Sequence, residues 1–168
     1  RPNPATADTG DYLRRTLFEQ GHWSIAEHAS ATFYITGVSR AFTHELIRHR
    51  HLSFSQLSQR FVDESGGNII LPPAVRSVFK DSREQDYDSP MVDALMDADI
   101  AAQDAYTAIV HELSDAGLPR KQAREAARAA LQNMQETRIV VTGNMRAWSE
   151  FLSKRLDDMV VVDRLPDD

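Results

Sequence analysis

Twice in this chain a run of β-branched and aromatic residues meets a glycine and hands over to a helical pattern. Ser30 to Val38, with Thr32, Phe33, Tyr34, Ile35 and Thr36, reads as a strand that Gly37 ends. Ser39 can then cap a helix to about Arg48, in which Phe42 and Leu46 are spaced i,i+4. The second occurrence is Thr137 to Thr142, followed by Gly143-Asn144 and a helix from Met145 to Arg155. Strands and amphipathic helices each need a partner for their apolar side, so such a chain has to pack helices against a small sheet.

The intervening segments add helices more than strands. Asp8 or Thr9 can cap a helix through Glu19, with Tyr12, Leu13, Thr16 and Leu17 on one face and Gly21 as its stop. Before it, Pro2 and Pro4 keep the first residues extended. Gly66-Gly67 marks a turn, after which Asn68 to Leu71 reads as a short strand closed by Pro72-Pro73. Residues 76 to 90 are polar and acidic, as a surface connection is. Pro90 to Leu113 is the longest helical pattern, and its apolar residues cover a face wide enough for a core and a neighbouring subunit. Gly117-Leu118-Pro119 breaks that helix and starts another, where Arg120, Arg124 and Arg128 form an i,i+4 basic stripe.

Composition removes several kinds of chemistry. The chain has 168 residues, enough for one domain with a sizeable core. It has no cysteine, which rules out thiolate nucleophiles, thiolate metal sites and disulfides. No apolar run is long enough to span a membrane, and a cytoplasmic protein is the default expectation. The net charge of −6 speaks against a nucleic-acid module, since nonspecific nucleic-acid binding needs a basic field. His44, His49 and His51 come without a carboxylate–histidine spacing, so no metal site is expected. Acids gather between Asp81 and Asp99, whereas basic residues cluster at 48–60, 120–128 and 138–155. Local basic pockets in an acidic protein suit a small anionic ligand.

The densest pocket former is Arg48-His49-Arg50-His51-Leu52-Ser53-Phe54-Ser55-Gln56-Leu57-Ser58-Gln59-Arg60, with no acid from Leu46 to Arg60. Guanidinium groups offer a fork of donors that fits phosphate, and serine hydroxyls add neutral donors around an anion. Leu46, Ile47, Leu52, Phe54 and Leu57 are threaded among them and would hold the stretch against a core. A phosphate-bearing ligand is the expectation from these residues alone.

Arg-His-Arg, two residues, Ser, four residues, Ser, one residue and Arg resembles the signature of the flavin-dependent thymidylate synthases. Here Arg48, His49, Arg50, Ser53, Ser58 and Arg60 fill every position. The likeness runs from Pro2 to about Arg155, and actinobacterial members look most similar. It implies the fold of that family, an α+β fold (α/β in the broad sense) with a small, mostly antiparallel sheet flanked by helices. It also implies a single domain over 1–168 that lacks the usual N-terminal strand and C-terminal helical tail, and a homotetramer whose sites are shared between subunits.

The activity implied is reductive methylation of dUMP to dTMP, with methylenetetrahydrofolate as carbon donor and NADPH as reductant through FAD. By the same resemblance Ser24, Arg48, His49, Arg50, Gln56, Asn144, Arg146 and Glu150 fall at FAD-contacting positions. Glu45, Leu46, Ile47, Arg48, Gln56, Leu57, Ser58, Gln59, Arg60, Arg128 and Arg155 fall at dUMP-contacting ones. Arg155 takes the catalytic place, activating the pyrimidine, and Glu27 helps to organise the flavin side. The Asn144-Met145-Arg146 junction is expected to offer unpaired N–H groups to an anion. Three departures from the family pattern stand out: Gln132 where a proline is usual, Glu150 where Asn or His is usual, and the residues after Arg155. They leave a second expectation open, a non-catalytic or weakly active member that binds flavin and nucleotide.

Overall fold

The computed structural model describes residues 8–78 and 89–155. The extended start at Pro2 and Pro4, most of the acidic connection and the residues after Arg155 lie outside them. In chain order the elements are α1 (Thr9–Leu13), β1 (Ser30–Ser39), α2 (Arg40–Leu46), β2 (Ser53–Gln56), α3 (Pro73–Val78), α4 (Pro90–Asp115), α5 (Arg120–Ala127), β3 (Glu136–Asn144) and α6 (Met145–Ser153). The three strands form an antiparallel sheet in the order β1-β3-β2, so the α+β class expected from the sequence is the class observed. β3 lies in the middle, and Thr137, Ile139, Val141 and Gly143 alternate inward along it, as the pleat requires. Among the described residues no helix is long and apolar enough to cross a membrane.

Three local expectations change. The helix after Ser39 stops at Leu46, and residues 47–51 turn instead, with Leu52 N–H donating to His49 O at 3.1 Å. Inside the basic signature, Ser53–Gln56 is a strand, and its Leu57 N–H continues the pairing by donating to Arg138 O at 2.9 Å. Asn68 to Leu71 shrinks to one bridge, Ile69 with Gln135, flanked by Ile70 N–H to Met134 O and Glu136 N–H to Asn68 O, both 2.8 Å. Gly66-Gly67 and Pro72-Pro73 close in from either side and leave too few residues to pair further.

The described residues divide into two compact units, one holding 8–33, 47–54 and 140–155, the other 34–46, 55–78 and 89–139. In the first, Asp8 caps α1 by accepting from Gly10 N–H at 3.0 Å. The helix then widens into a π segment, Arg14–Glu19, that buries Thr16 and ends before Gly21, whose φ of +67° suits glycine. A 3₁₀ helix follows at Trp23–Glu27, with the Phe18 and Trp23 rings edge to face at 5.2 Å. The core of this unit gathers on Trp148 of α6. Its Nε1–H donates to Ala31 O at 3.1 Å, and its ring meets Phe33 at 5.0 Å and Phe151 at 5.9 Å, both edge to face. Gly143 is needed here: a Cβ would run into Leu52 Cδ2 and come within 3.4 Å of Trp148 Nε1.

In the second unit Ser39 Oγ accepts from Phe42 N–H at 3.2 Å at the start of α2. Ser89 caps α4 in the same way through Met91 N–H at 3.3 Å, with Pro90 at the first helical position. Gly117, at φ +87°, separates α4 from α5. α5 buries Ala123 and Ala127 completely, and a 3₁₀ turn, Arg128–Ala130, continues it. Leu46, Tyr106 and Ile139 are the largest apolar side chains packed inside this unit.

Candidate functional site

In the first unit the start of the signature meets α6. The His49 ring packs edge to face on Phe151 at 5.0 Å, and the Arg155 guanidinium lies over the same Phe151 ring at 4.5 Å. Phe151 thus joins two residues more than a hundred positions apart in sequence. Glu150 accepts from Lys154 Nζ at 2.6 Å. That hydrogen bond, ahead of an opposing burial effect and helped by the charges of Lys154, His51 and His49, holds the Glu150 carboxyl below its usual range. Burial chiefly pushes His49 down, and the positive charges of Arg155 and Lys154 push it further, with Glu150 opposing. Arg48 and Arg50 stand exposed beside this group in sequence.

The junction between β3 and α6 is less open than its sequence implies. Asn144 Oδ1 takes Ala147 N–H at 2.8 Å, and Met145 N–H donates to Ala29 O at 2.9 Å. Two of the first three helical N–H groups are therefore occupied within the protein, and among the described residues the Asn144 Nδ2 has no hydrogen-bond partner. Arg146 Nη1 pairs with Glu27 Oε1 at 2.7 Å, both side chains being about half exposed (55% and 46%). Ser24 precedes Glu27 by three residues on the 3₁₀ helix, where i and i+3 eclipse, so both sit on one side of it.

The second unit holds the rest of the signature. Gln56 is half-buried, and its Nε2 donates to Thr43 Oγ1 at 2.9 Å and reaches Thr137 Oγ1 at 3.4 Å. Thr43 Oγ1 in turn donates to Arg40 O at 2.9 Å, so the Gln56 amide is locked with its nitrogen inward, and its oxygen has no partner among the described residues. Ser58 closes a turn: its carbonyl accepts from Phe61 and Val62, and its Oγ accepts from Arg60 N–H at 3.4 Å. Gln59 is buried, and among the described residues its Nε2 has no hydrogen-bond partner. Leu46 is wholly in the core, which leaves only its backbone to a ligand. Glu45, Leu57 and Arg128 are exposed in this unit, as Ile47 is in the other.

One residue that sequence reasoning passed over stands out beside Arg128. Arg40 is half-buried; burial is the main influence lowering its pKa, Glu64 opposes that, and the charge of Arg128 adds to it. Two guanidinium groups within Coulombic reach of each other, with Glu64 the carboxylate that faces Arg40, favour an added anion. A signal existed. An arginine at the start of α2 sits at the wrong end of the helix dipole, and such local conflicts mark functional positions. Glu64 itself is buried, accepts from Gln135 Nε2 at 3.0 Å, and has its N–H near Tyr106 Oη at 3.4 Å. Burial pushes its carboxyl up, with Arg40 opposing and Asp63 adding.

The donor set of the first unit fits a diphosphate-bearing cofactor. His49, Lys154 and Arg155 gather there, Arg48 and Arg50 stand exposed on either side of His49 in sequence, and the two carboxylates of the candidate site, Glu27 and Glu150, are each paired with a cation. Among the described residues no three His, Asp or Glu side chains converge as metal ligands.

Comparison with known proteins identifies the family. The family model described as thymidylate synthase complementing protein matches residues 1–160. The flavin-dependent thymidylate synthase of Mycobacteroides abscessus is 50% identical over 165 residues, an alignment covering 94% of this chain and 62% of that protein. Those of Mycolicibacterium gilvum and Mycobacterium tuberculosis are 48% and 46% identical, with the same shares covered. The chain thus spans 62% of the length of these curated relatives. With a family match over nearly its whole length and half its residues shared with one such relative, the chain belongs to the thymidylate synthase complementing protein family.

Proposed function

We propose that this chain acts in the reductive methylation of dUMP to dTMP, with methylenetetrahydrofolate as carbon donor and NADPH as reductant. FAD, when bound, would supply the redox chemistry between the reductant and the transferred carbon. Arg48, His49 and Arg50 would hold its diphosphate, with Asn144 Nδ2, Arg146 and Ser24 on the remainder and Glu150 tempered by Lys154. Gln56 would present its free amide oxygen between the two ligands.

The dUMP phosphate would lie on Ser58, Arg60 and Arg128, joined by Arg40. Glu45, Leu57, Gln59 and the backbone at Leu46 and Ile47 would line the nucleotide. Arg155 would stabilise the ionised N3 of the pyrimidine, since a guanidinium stays charged throughout and is already oriented by its stack on Phe151. No side chain serves as a covalent nucleophile. We read residues 1–168 as one domain of a cytoplasmic homotetramer whose sites draw residues from more than one copy.

The observation that supports this reading is the convergence of His49 and Arg155 on Phe151. It joins the signature to the helix that follows Asn144, the two stretches the reaction would need together. The test is dTMP formation by the purified protein given dUMP, methylenetetrahydrofolate, NADPH and FAD. Product that depends on all four supports the reading, and NADPH consumption that ignores dUMP argues for a different oxidoreductase.

A further inference from the structure

Three charged side chains of α5, Lys121, Arg124 and Glu125, have no part in the proposed reaction and reach the exit of the signature. Arg124 donates from Nη1 to Phe61 O at 2.9 Å and from Nη2 to Asp63 Oδ2 at 2.7 Å, with its side chain only 13% exposed. Asp63 is tied down further by Ser65, whose N–H and Oγ–H donate to Oδ1 at 3.1 and 2.8 Å. Lys121 lies over the Phe61 ring at 4.9 Å. Ala123 and Ala127 are fully buried, so α5 cannot turn about its axis without breaking its packing. The segment just after Arg60 is thus fastened to a fixed helix.

The next residue on that helix acts on Arg60 itself. Glu125 Oε2 lies 3.0 Å from Arg60 Nε. Nε lacks hydrogen-bond geometry there, so charge rather than an aligned N–H holds the pair. A guanidinium has two edges able to engage an oxyanion in bidentate fashion, Nε with one Nη and the two Nη together. Nε is itself buried against Glu125, which closes the first edge and leaves the second. We infer that Glu125 is the positioning residue of Arg60, holding the arginine so that its two Nη groups are offered to the phosphate of the nucleotide. This rests on the reading of Ser58–Arg60 as the dUMP phosphate seat.

Two consequences of the contact oppose each other. An arginine already held in place loses less freedom when the ligand arrives. Against that, the Glu125 charge repels a phosphate. The side chains of the pair are 38% and 40% exposed, so water screens both effects, and orientation is the one that acts at contact.

The experiment measures the ratio of dUMP to deoxyuridine affinity, together with FAD affinity, for the wild type, Glu125→Gln, Glu125→Asp, Arg60→Lys and Arg60→Lys/Glu125→Gln. Deoxyuridine has the base and sugar but no phosphate. The expected result is a roughly two- to fivefold drop in the ratio for Glu125→Gln, the size of effect a half-exposed ion pair supports. Partial recovery should follow with Glu125→Asp, FAD binding should not change, and Glu125→Gln should have no further effect once Arg60 is lysine. An unchanged ratio, tighter dUMP binding, or equal losses of dUMP, deoxyuridine and FAD would overturn the inference. If the wild type itself shows no preference for dUMP, the dUMP reading fails and this proposal falls with it. A wild-type preference that is undiminished in Glu125→Gln sinks the proposal alone.

Discussion

Replacing Arg155 with alanine separates what this side chain does for the fold from what it does for the reaction. Among the described residues it stacks on Phe151 at 4.5 Å and is otherwise exposed. A cation–π contact at an exposed site contributes about 0.5–1 kcal/mol. For a chain of this size that lowers Tm by roughly 2–4 °C at most. Losing a preorganised charge that the transition state needs costs about 3 kcal/mol, or roughly 150-fold in kcat/KM. The variant should therefore melt almost like the wild type and turn over far more slowly, as followed by dTMP formation. A second readout lies in His49. Arg155 is among the charges that push His49 down, so its removal should raise the His49 pKa in an NMR titration, incompletely because burial is the larger cause. With its folded pKa depressed below 6.5, wild-type His49 binds fewer protons than the unfolded chain, so its contribution to stability is present above 6.5 and fades as the pH falls. Arg155→Ala should shrink that acid loss. Normal turnover would take Arg155 out of the mechanism, and a Tm fall of well over ~4 °C would show that its role is structural.

Three further substitutions probe the scaffold. Gly143→Ala sets a Cβ against Leu52 and Trp148 and should cost about 1–3 kcal/mol in urea unfolding. Because Leu52 lies within the signature, FAD affinity should fall with it, whereas stability lost with full FAD affinity would mean that the signature does not depend on this packing. Tyr106→Phe removes the oxygen facing the Glu64 N–H in a side chain 1% exposed and should cost about 1–2 kcal/mol; a neutral result would mean the 3.4 Å contact carries no energy. Glu64→Gln tests the buried carboxyl. Its folded pKa is raised, chiefly by burial, so the folded chain binds the extra proton and the ionised form becomes a growing cost as pH rises through 4.5 and beyond. The variant should gain stability relative to wild type between acid and neutral pH, and a constant difference in unfolding free energy across that range would contradict the assignment.

Much of this arrangement can be read from the residues, for identifiable reasons. The strand–helix pairs at Ser30 and Thr137 carry long β-branched runs followed by polar caps, and both formed with boundaries within a few residues of expectation. α4 and α5 are bounded by Ser89-Pro90, Gly117 and Pro119, whose backbone preferences leave little choice. The strand Ser53–Gln56 escaped notice because its serines and glutamine are weak strand formers; it exists because β3 offers it an edge. Asn68–Leu71 failed in the other sense, with strong strand formers given too little length. In the candidate site the signature was legible because arginine and serine spacing is local. Arg40 left only the weak local signal of a cation at a helix start, since its value depends on Arg128 and Glu64, far away in sequence. The two ion pairs from α5 were likewise hidden, because a basic stripe on an isolated helix looks the same whether it faces solvent or a loop. The open N–H groups expected before α6 were lost to a cap from Asn144 and a carbonyl from Ala29.

We propose that the donors at 48–60 and those at 144–155 serve two nucleotides bound side by side. Titrating dUMP into the FAD-loaded protein while recording the flavin absorbance addresses it directly. Adjacent ligands require a saturable change in the flavin bands on adding dUMP, weakened in Arg155→Ala and absent with deoxyadenosine monophosphate. A flavin spectrum that stays the same while calorimetry shows dUMP binding would mean the two ligands sit apart, and the shared site would have to be abandoned.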